Sequence, residues 1–187
     1  GGYDVSDYCD IDPRYGTLDD AALFVNEAHG LGLRVFIDLV PNHASSAHPL
    51  FQAALAAAPG SPEREMFIFR DGKGDDGDVP PTNWGALFGG SAWERVVEAD
   101  GTPGQWYCHM FAPEQPDWNW ENPAVVELFD GIVRFWLDRG IDGIRIDVAD
   151  SMAKNQNFPD TPTDPKTGYG TTAKFQGHPY WDQPGVE

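Results

Sequence analysis

Two apolar stretches of this sequence end in polar side chains that could do chemistry. The first covers residues 33–40 and continues as Pro41-Asn42-His43, and the second covers residues 141–148 and contains Arg145 and Asp147. Side chains alternate along a strand, so Arg145 and Asp147 share one face. A neighbouring guanidinium favours the ionised carboxylate, which is the form that a nucleophile requires. A structural ion pair is the alternative interpretation, because R-x-D is a common sequence.

Other side chains near these stretches leave both a functional and a structural interpretation open. Asp38 lies inside the first stretch, where we expect a buried carboxylate that accepts backbone or loop hydrogen bonds in a structural role. His43 at its end could donate to a ligand hydroxyl or be a satisfied structural group. The rings of Phe88 and Phe111 suit either a core or the apolar side of a sugar.

Each apolar stretch follows directly on a predicted helix. Thr17, with Asp20 three residues later, predicts a capping box for a helix that ends before residues 33–40. Asn122 and Pro123 predict the start of a second helix before residues 141–148. A helix followed by a nearly continuous apolar strand, twice, indicates a parallel α/β architecture with covered sheet faces.

The segment between these two units is too long for a simple connection. Residues 44–121 predict a small inserted subdomain with a helix over 49–58, a turn over 71–78 and a strand over 105–111. Residues 151–187 predict a long ordered loop, with a linker as the alternative. An α/β barrel needs eight strands, so we expect this chain to be a piece of a larger protein.

Composition excludes several classes of protein. The chain has 187 residues, a formal charge of −18 and an apolar fraction of 41%, which is too high for a disordered acidic tail. The negative charge makes nucleic acid and anionic membranes unfavourable partners, and no apolar run approaches the roughly 18 residues of a membrane span. Cys9 and Cys108 are expected to be free thiols, which favours a cytoplasmic location.

Three blocks, in this order and at suitable separations, resemble signature blocks of the α-amylase family (glycoside hydrolase family 13): Asp38-Leu39-Val40-Pro41-Asn42-His43, Gln115-Pro116-Asp117-Trp118-Asn119 and Gly143-Ile144-Arg145-Ile146-Asp147-Val148. The opening residues 1–8 and residues 88–93 resemble its α-glucosidase/oligo-1,6-glucosidase branch. One departure is Trp118, where the family's block usually has Leu, and we expect only a change of packing there.

The resemblance implies a partial (β/α)8 TIM barrel with an inserted domain B. Residues 1–43 match the loop after barrel strand two, a helix and strand three. Residues 44–121 match domain B, residues 122–150 match a helix and strand four, and residues 151–187 match the long loop that leads to the next helix.

The resemblance also implies residue roles. Asp147 matches the nucleophile and Arg145 the arginine that keeps it ionised, whereas Asp38, Asn42 and Asp117 match signature residues with mainly structural roles. The residues that match glucose-binding or pocket positions are His43, Tyr3, Phe111, Phe88 and Gln115. The chemistry needs no cofactor, and we expect no metal ion at Asn42.

The function implied is a retaining α-glucosidase that hydrolyses terminal α-linked glucose (α-1,4 and/or α-1,6) from short oligosaccharides. Val148, directly after the expected nucleophile, resembles enzymes that accept α-1,6 links. The family's general acid follows strand five, so we expect the rest of the barrel to complete the site and the isolated chain to be inactive.

Two alternatives stay open. One is a transglucosidase or isomerase, such as a trehalose synthase or a sucrose isomerase, that uses the same intermediate. The other is a non-catalytic family member, such as the heavy chains of amino-acid transporters. The Arg145–Asp147 pair, with His43 and Tyr3, favours an enzyme.

Overall fold

The computed structural model describes residues 2–163 and 178–185. Its helices and strands are, in chain order, α1 (Leu18–Gly30), β1 (Phe36–Leu39), α2 (Pro49–Ala56), β2 (Phe69–Arg70), β3 (Trp93–Val97), β4 (Pro103–Cys108), α3 (Pro123–Leu137) and β5 (Gly143–Ile146). Single 3-10 turns cover Arg64–Met66 and Ala149–Ser151. Part of the predicted loop over 151–187, namely residues 164–177 and 186–187, lies outside the described residues. No helix in the described ranges is long and apolar enough to cross a membrane.

The two predicted helix–strand units are present, and their strands pair with each other. β1 and β5 form a two-stranded parallel sheet in which Phe36 is opposite Gly143 and Asp38 is opposite Arg145. Both strands are shorter than the apolar stretches that predicted them. A Cβ atom on Gly143 would lie 2.2 Å from the Phe36 ring, so a larger residue there would require the exposed Phe36 side chain to move.

The capping residues predicted from sequence begin both long helices. The Thr17 hydroxyl accepts a hydrogen bond from the Asp20 backbone N–H, and the Asp20 carboxylate accepts one from the Thr17 N–H, which completes the capping box of α1. The Asn122 side chain accepts from the Ala124 N–H at 3.0 Å and caps α3, with Pro123 at its first position.

Asp142 closes the end of the parallel sheet that lies farthest from Asp147. Its carboxylate accepts hydrogen bonds from the Val35 N–H and from His29 Nε2, both at 2.8 Å, while its own N–H donates to the Val35 carbonyl. These hydrogen bonds lower the pKa of Asp142, and the bond from the Val35 N–H has the largest effect. Asp142 therefore joins the two helix–strand units and lies away from the candidate site, as its position before β5 predicts.

A three-stranded antiparallel sheet, in the order β2-β4-β3, lies wholly within residues 44–121. The predicted strand over 105–111 is confirmed as β4, which begins and ends slightly earlier. The sequence analysis did not predict β2 or β3. In β3 the side chains of Trp93 and Val96 are buried while Glu94 and Val97 are exposed, so its apolar spacing breaks the simple alternation that identifies a strand.

Trp118 lies at the centre of the larger of two hydrophobic clusters and is fully buried. Its ring stacks on Phe67 with 4.2 Å between centroids, and its indole N–H donates to the Tyr8 hydroxyl. The Tyr8 hydroxyl in turn donates to the backbone carbonyl of His43 at 2.7 Å. The large residue at this signature position thus packs the inserted segment against the opening loop of the chain.

Arg64 is a fully buried cation that holds α2 to the antiparallel sheet. Its guanidinium donates to the backbone carbonyls of Ala54, Leu55 and Ala57 and forms a two-pronged ion pair with Glu98 at 2.8 and 2.9 Å. The guanidinium is satisfied only in this arrangement, so the ion pair fixes how the end of α2 meets β3.

Replacing Arg64 with Leu should lower the free energy of unfolding by about 3–5 kcal/mol, because Glu98 and three carbonyls lose their partner. Urea denaturation measures this change. Arg134→Leu is the matched control, since that guanidinium is mostly exposed and pairs with Asp130 within one helix, and it should cost less than about 1 kcal/mol. Equal effects of the two substitutions would contradict the role assigned to Arg64.

Candidate active site

Arg145 contacts two carboxylates at the carboxyl end of the parallel sheet. Its Nη1 atom lies 2.6 Å from Asp147 Oδ1 and donates to both oxygens of Asp38 at 2.8 Å. The Asp147 N–H donates to the Leu39 carbonyl, which extends the β1–β5 pairing by one residue and anchors Asp147 at the strand end. The pKa of Arg145 is raised, chiefly by its hydrogen bond to Asp38 and also by the charge of Asp147.

The expected burial of Asp38 is wrong, because its side chain is 41% exposed. Asp38 accepts a hydrogen bond from the Tyr3 hydroxyl of the opening loop at 3.3 Å, as expected of a loop partner, and its other partner is the Arg145 guanidinium. The reason is the strand register, which places Asp38 directly opposite Arg145 with both side chains on one side of the sheet. Asp38 therefore positions the guanidinium that contacts Asp147.

Tyr3, His43 and Gln115 form the next part of the site. His43 Nε2 lies 2.8 Å from the Tyr3 carbonyl, which can only accept, so this nitrogen carries the proton. Its Nδ1 accepts from the Asn42 amide at 3.1 Å. The Gln115 amide also donates to the Tyr3 carbonyl. Both ring nitrogens of the buried His43 thus have hydrogen-bond partners within the protein. The Nε2 atom of His43 and the Gln115 amide hold the Tyr3 backbone in place.

Two aromatic rings extend this arrangement outward. Phe111 lies 5.0 Å from the His43 ring and 5.6 Å from Phe88, measured between centroids. Phe88 is 74% exposed, in the turn between the paired residues Gly85 and Ser91. An exposed ring beside a polar pocket offers a face to the apolar side of a sugar.

A buried ammonium group, which the sequence analysis missed, lies beneath the site. Lys154 Nζ donates to Asn42 Oδ1 at 2.7 Å and to the Ser151 carbonyl at 2.6 Å, and it lies 3.1 Å from Asp117 Oδ2. The side chains of Lys154 and Asp117 are both fully buried. The Ser151 hydroxyl donates to the same Asn42 oxygen. The oxygen of Asn42 that could bind a cation therefore already has an ammonium group as its partner.

The backbone turns sharply directly after Asp147. Val148 has φ 44° and ψ 45°, a left-handed conformation that β-branched residues rarely adopt. The residues around it must hold it there, and such strain is found mostly at functional sites. The turn ends β5 and begins the Ala149–Ser151 turn that leads to Lys154.

All ten residues predicted for the site lie in one connected set, which we call the pocket network. Its members are Asp147, Arg145, Asp38, Tyr3, His43, Gln115, Phe111, Phe88, Asn42 and Asp117. They come from the opening loop, the ends of both parallel strands and the inserted segment. The geometry offers a carboxylate held by a guanidinium, next to polar and aromatic groups that suit a sugar.

A family model described as the alpha amylase catalytic domain matches residues 1–185. The chain belongs to the alpha-amylase family. The catalytic domain of this family is a TIM barrel, and a parallel β1–β5 pair with a helix before each strand is consistent with that fold. The resemblance noted in the sequence is therefore confirmed.

Several curated members of the alpha-amylase family are similar to this chain. It is 46% identical over 159 residues to a trehalose-6-phosphate hydrolase of Escherichia coli (strain K12), a match that covers 85% of this chain and 27% of that protein. It is 42% identical over 171 residues to an oligo-1,6-glucosidase of Heyndrickxia coagulans, covering 90% of this chain and 30% of that protein. The chain thus spans less than a third of the length of these relatives.

Solved structures of the family superpose well on this chain. The trehalose-6-phosphate hydrolase of Bacillus licheniformis has a TM-score of 0.85 and 40% identity, covering 100% of this chain and 30% of that structure. The isomaltulose synthase of Klebsiella sp. LX3 has a TM-score of 0.80 and 39% identity, covering 89% and 28%. The chain therefore resembles both a trehalose-6-phosphate hydrolase and an isomaltulose synthase in structure.

Lys154→Met should lower the free energy of unfolding by about 3–5 kcal/mol, because Asp117 would remain buried without its counter-charge. Thermal unfolding measures this change. The control Lys73→Met removes an ammonium that is half exposed beside Asp160 and should cost less than about 1 kcal/mol. Adding Asp117→Asn to Lys154→Met should recover part of the loss, and a further loss of equal size would contradict the pairing.

Burial lowers the pKa of His43 below its ordinary value, while the nearby Asp117 charge opposes that shift. We expect the ring to titrate below about pH 6.5 in nuclear magnetic resonance spectra. The unfolded chain then binds more protons than the folded one in that window, so His43 makes stability fall as the pH drops below about 6.5. A His43 ring that titrates at or above that value would contradict this prediction.

Proposed function

We propose that this chain carries the nucleophile of a retaining α-glucosidase that removes terminal α-linked glucose, through α-1,4 and/or α-1,6 links, from short oligosaccharides. The observation that carries the proposal is the 2.6 Å contact between Arg145 and Asp147 at the end of a parallel strand, within the pocket network. The similarity to oligo-1,6-glucosidases and α-glucosidases supports the same reaction.

The proposed first step uses one oxygen of Asp147. This oxygen attacks the anomeric carbon of glucose and forms a covalent glucosyl ester while the bond to the leaving oxygen breaks. Arg145 holds the carboxylate in place through Nη1, Asp38 accepts hydrogen bonds from Arg145, and the Tyr3 hydroxyl donates to Asp38. Water then cleaves the ester and releases glucose with retention of configuration.

The leaving oxygen must receive a proton from a second carboxyl group about 5–5.5 Å from the nucleophile. We propose that this acid lies on a part of the barrel outside the chain, so that the isolated chain is inactive. Apolar side chains left exposed on the two-stranded sheet support a larger barrel that would cover them, since Phe36 and Ile146 are 62% and 49% exposed. In this proposal residues 1–43 and 122–150 belong to the barrel, 44–121 to domain B and 151–187 to the following loop.

The proposed partner is a small oligosaccharide rather than nucleic acid or a membrane surface, in keeping with the acidic composition. The free thiols of Cys9 and Cys108 support a reducing compartment such as the cytoplasm. No cofactor is required, because covalent glycosyl transfer uses side chains alone.

A second candidate is transglucosylation or sucrose isomerisation, which the likeness to isomaltulose and trehalulose synthases favours. Both candidates share the Asp147 ester and differ in whether water or a sugar hydroxyl cleaves it. A non-catalytic family member is the weaker alternative, because a protein that only binds carbohydrate does not need a carboxylate in contact with Arg145.

Asp147→Asn in the full-length protein should lower kcat on p-nitrophenyl α-glucoside by about 10³-fold or more, because the amide cannot form the ester. Release of p-nitrophenol measures this, and glucose binding should persist. Asp130→Asn, an exposed carboxylate on α3, is the matched control and should leave kcat unchanged. Retained activity in Asp147→Asn would exclude Asp147 as the nucleophile.

A further inference from the structure

The side-chain amide of Asn42 is fully buried next to the ring of His43, and its surroundings fix its orientation. An ammonium group has only donors, so the amide atom that lies 2.7 Å from Lys154 Nζ is the oxygen, Oδ1. The Ser151 hydroxyl lies 2.9 Å from the same oxygen. The Asp117 carboxylate lies 3.1 Å from the other amide atom and only accepts, so that atom is the nitrogen, Nδ2.

This orientation points one amide N–H of Asn42 at His43. One hydrogen of Asn42 Nδ2 goes to Asp117 Oδ1, and the other goes to His43 Nδ1 at 3.1 Å. A ring nitrogen that accepts a hydrogen bond carries no proton of its own. A proton on Nδ1 would bring two donors together at a ring that is only 1% exposed, which is costly. Asn42 therefore admits only the neutral ring of His43 that has its proton on Nε2.

Asn42 constrains the His43 ring from the side opposite to the pocket. On the pocket side, Nε2 lies 2.8 Å from the Tyr3 carbonyl oxygen and 3.0 Å from the Gln115 amide nitrogen. An N–H of Gln115 that pointed at Nε2 would favour a proton on Nδ1 instead. With the proton on Nε2, His43 and Gln115 both donate to the Tyr3 carbonyl, at 2.8 and 3.1 Å. The Asn42 amide is thus a second, independent reason for this tautomer.

The tautomer of His43 determines what the ring offers to the pocket. With its proton on Nε2, the ring holds the Tyr3 carbonyl and has a donor for the oxygen of a sugar hydroxyl. The Tyr3 hydroxyl donates to Asp38, which accepts from Arg145. The opposite tautomer would turn a lone pair of Nε2 towards the Tyr3 carbonyl and repel it. Asn42 therefore acts on the pocket through His43.

We propose that Asn42 is a positioning residue that fixes His43 as the neutral ring with its proton on Nε2. Lys154 and Ser151 hold the Asn42 oxygen and thereby orient the amide. This role goes beyond the mainly structural one that the family resemblance implies for Asn42. The inference deepens the proposed function and rests on it for the kinetic part of the test, whereas the spectroscopic part is independent of turnover.

The spectroscopic test locates the ring protons of His43 in the full-length protein. Long-range ¹H–¹⁵N correlation spectra of ¹⁵N-labelled histidine distinguish protonated from unprotonated ring nitrogens, and His43→Gln identifies the signals of this ring. At about pH 7.5, above the ordinary pKa of histidine, the native protein should have its proton on Nε2 and none on Nδ1. A proton on Nδ1 of the native protein would overturn the proposal.

Asn42→Asp should move the proton to the other side of the ring. The substitution replaces the amide nitrogen with an acceptor of the same size, while an oxygen still faces Lys154, so Nδ1 of His43 should become protonated. An unprotonated Nδ1 in this variant would overturn the proposal. Where the variant does not fold, the native protein still gives a test, because a scalar coupling between Asn42 Nδ2 and His43 Nδ1 reports their hydrogen bond, and its absence would overturn the proposal.

The kinetic test separates positioning from a general loss of structure. In Asn42→Asp, kcat/KM on p-nitrophenyl α-glucoside should fall by about tenfold or more, because the ring presents a lone pair to the pocket instead of a donor. His43→Gln keeps an N–H donor and has no tautomers, so adding Asn42→Asp to it should lower kcat/KM by less than about twofold. An equal loss in the two backgrounds would overturn the proposal, because a purely structural role predicts it.

The matched control is Asn26→Asp, which makes the same substitution at an exposed position of α1 and should leave both the ring spectrum and kcat/KM unchanged. The proposed function can fail separately. If the native protein hydrolyses no α-glucoside, the hydrolase proposal falls, and the ring spectra decide the inference alone. A proton on Nε2 of His43 in the native protein and on Nδ1 in Asn42→Asp would then still support it.

Discussion

The ion pair between Asp38 and Arg145 depends on the register of two parallel strands, and the rest of the site depends on that ion pair. A slip of one residue would turn one of the two side chains to the opposite face of the sheet. At the other end of the pair Phe36 lies opposite Gly143. With the register set, Arg145 meets Asp147 on one side and Asp38 on the other, and Asp38 reaches the hydroxyl of Tyr3.

The inserted segment contributes directly to the wall of the pocket. His43 pairs with Asp117 in an isolated antiparallel bridge, and the backbone of Trp118 bonds to Asn42. The chain at the end of β1 therefore bonds to β5 as far as Leu39 and to residues 117 and 118 at Asn42 and His43. This pairing also positions Gln115, which lies two residues before Asp117. The Gln115 amide donates a hydrogen bond to the Tyr3 carbonyl. The pocket is built where the two parts of the chain share hydrogen bonds.

The sequence predicted the local features of this arrangement well. The Thr17–Asp20 capping box, the Asn122 cap and the two helix–strand units depend on residues close together in the chain, and all are present. The residues chosen by resemblance also lie together. The prediction that Asp38 is buried was wrong, because the surroundings of its side chain depend on Arg145, a partner 107 residues away on the neighbouring strand.

Long-range burial explains the other features that the sequence did not reveal. Lys154 reaches Asn42 across 112 positions and looks in sequence like an ordinary surface lysine. The burial of Arg64 is equally hard to predict, since its carboxylate partner Glu98 directly follows β3, a strand that the pattern of apolar residues did not identify. Nothing in the residues next to Lys154, which are Ala153 and Asn155, marks it as a buried cation.

The buried ammonium of Lys154 has a consequence for how the site responds to its surroundings. A dissociable ion stabilises a fold only to the extent that its free concentration exceeds its dissociation constant. Here the positive charge that joins Asn42 and Asp117 is attached covalently to the chain, so its occupancy is complete at any dilution. Chelating agents cannot remove this charge. The contact that Lys154 makes between Asn42 and Asp117 therefore forms when the chain folds and needs no dissolved ion.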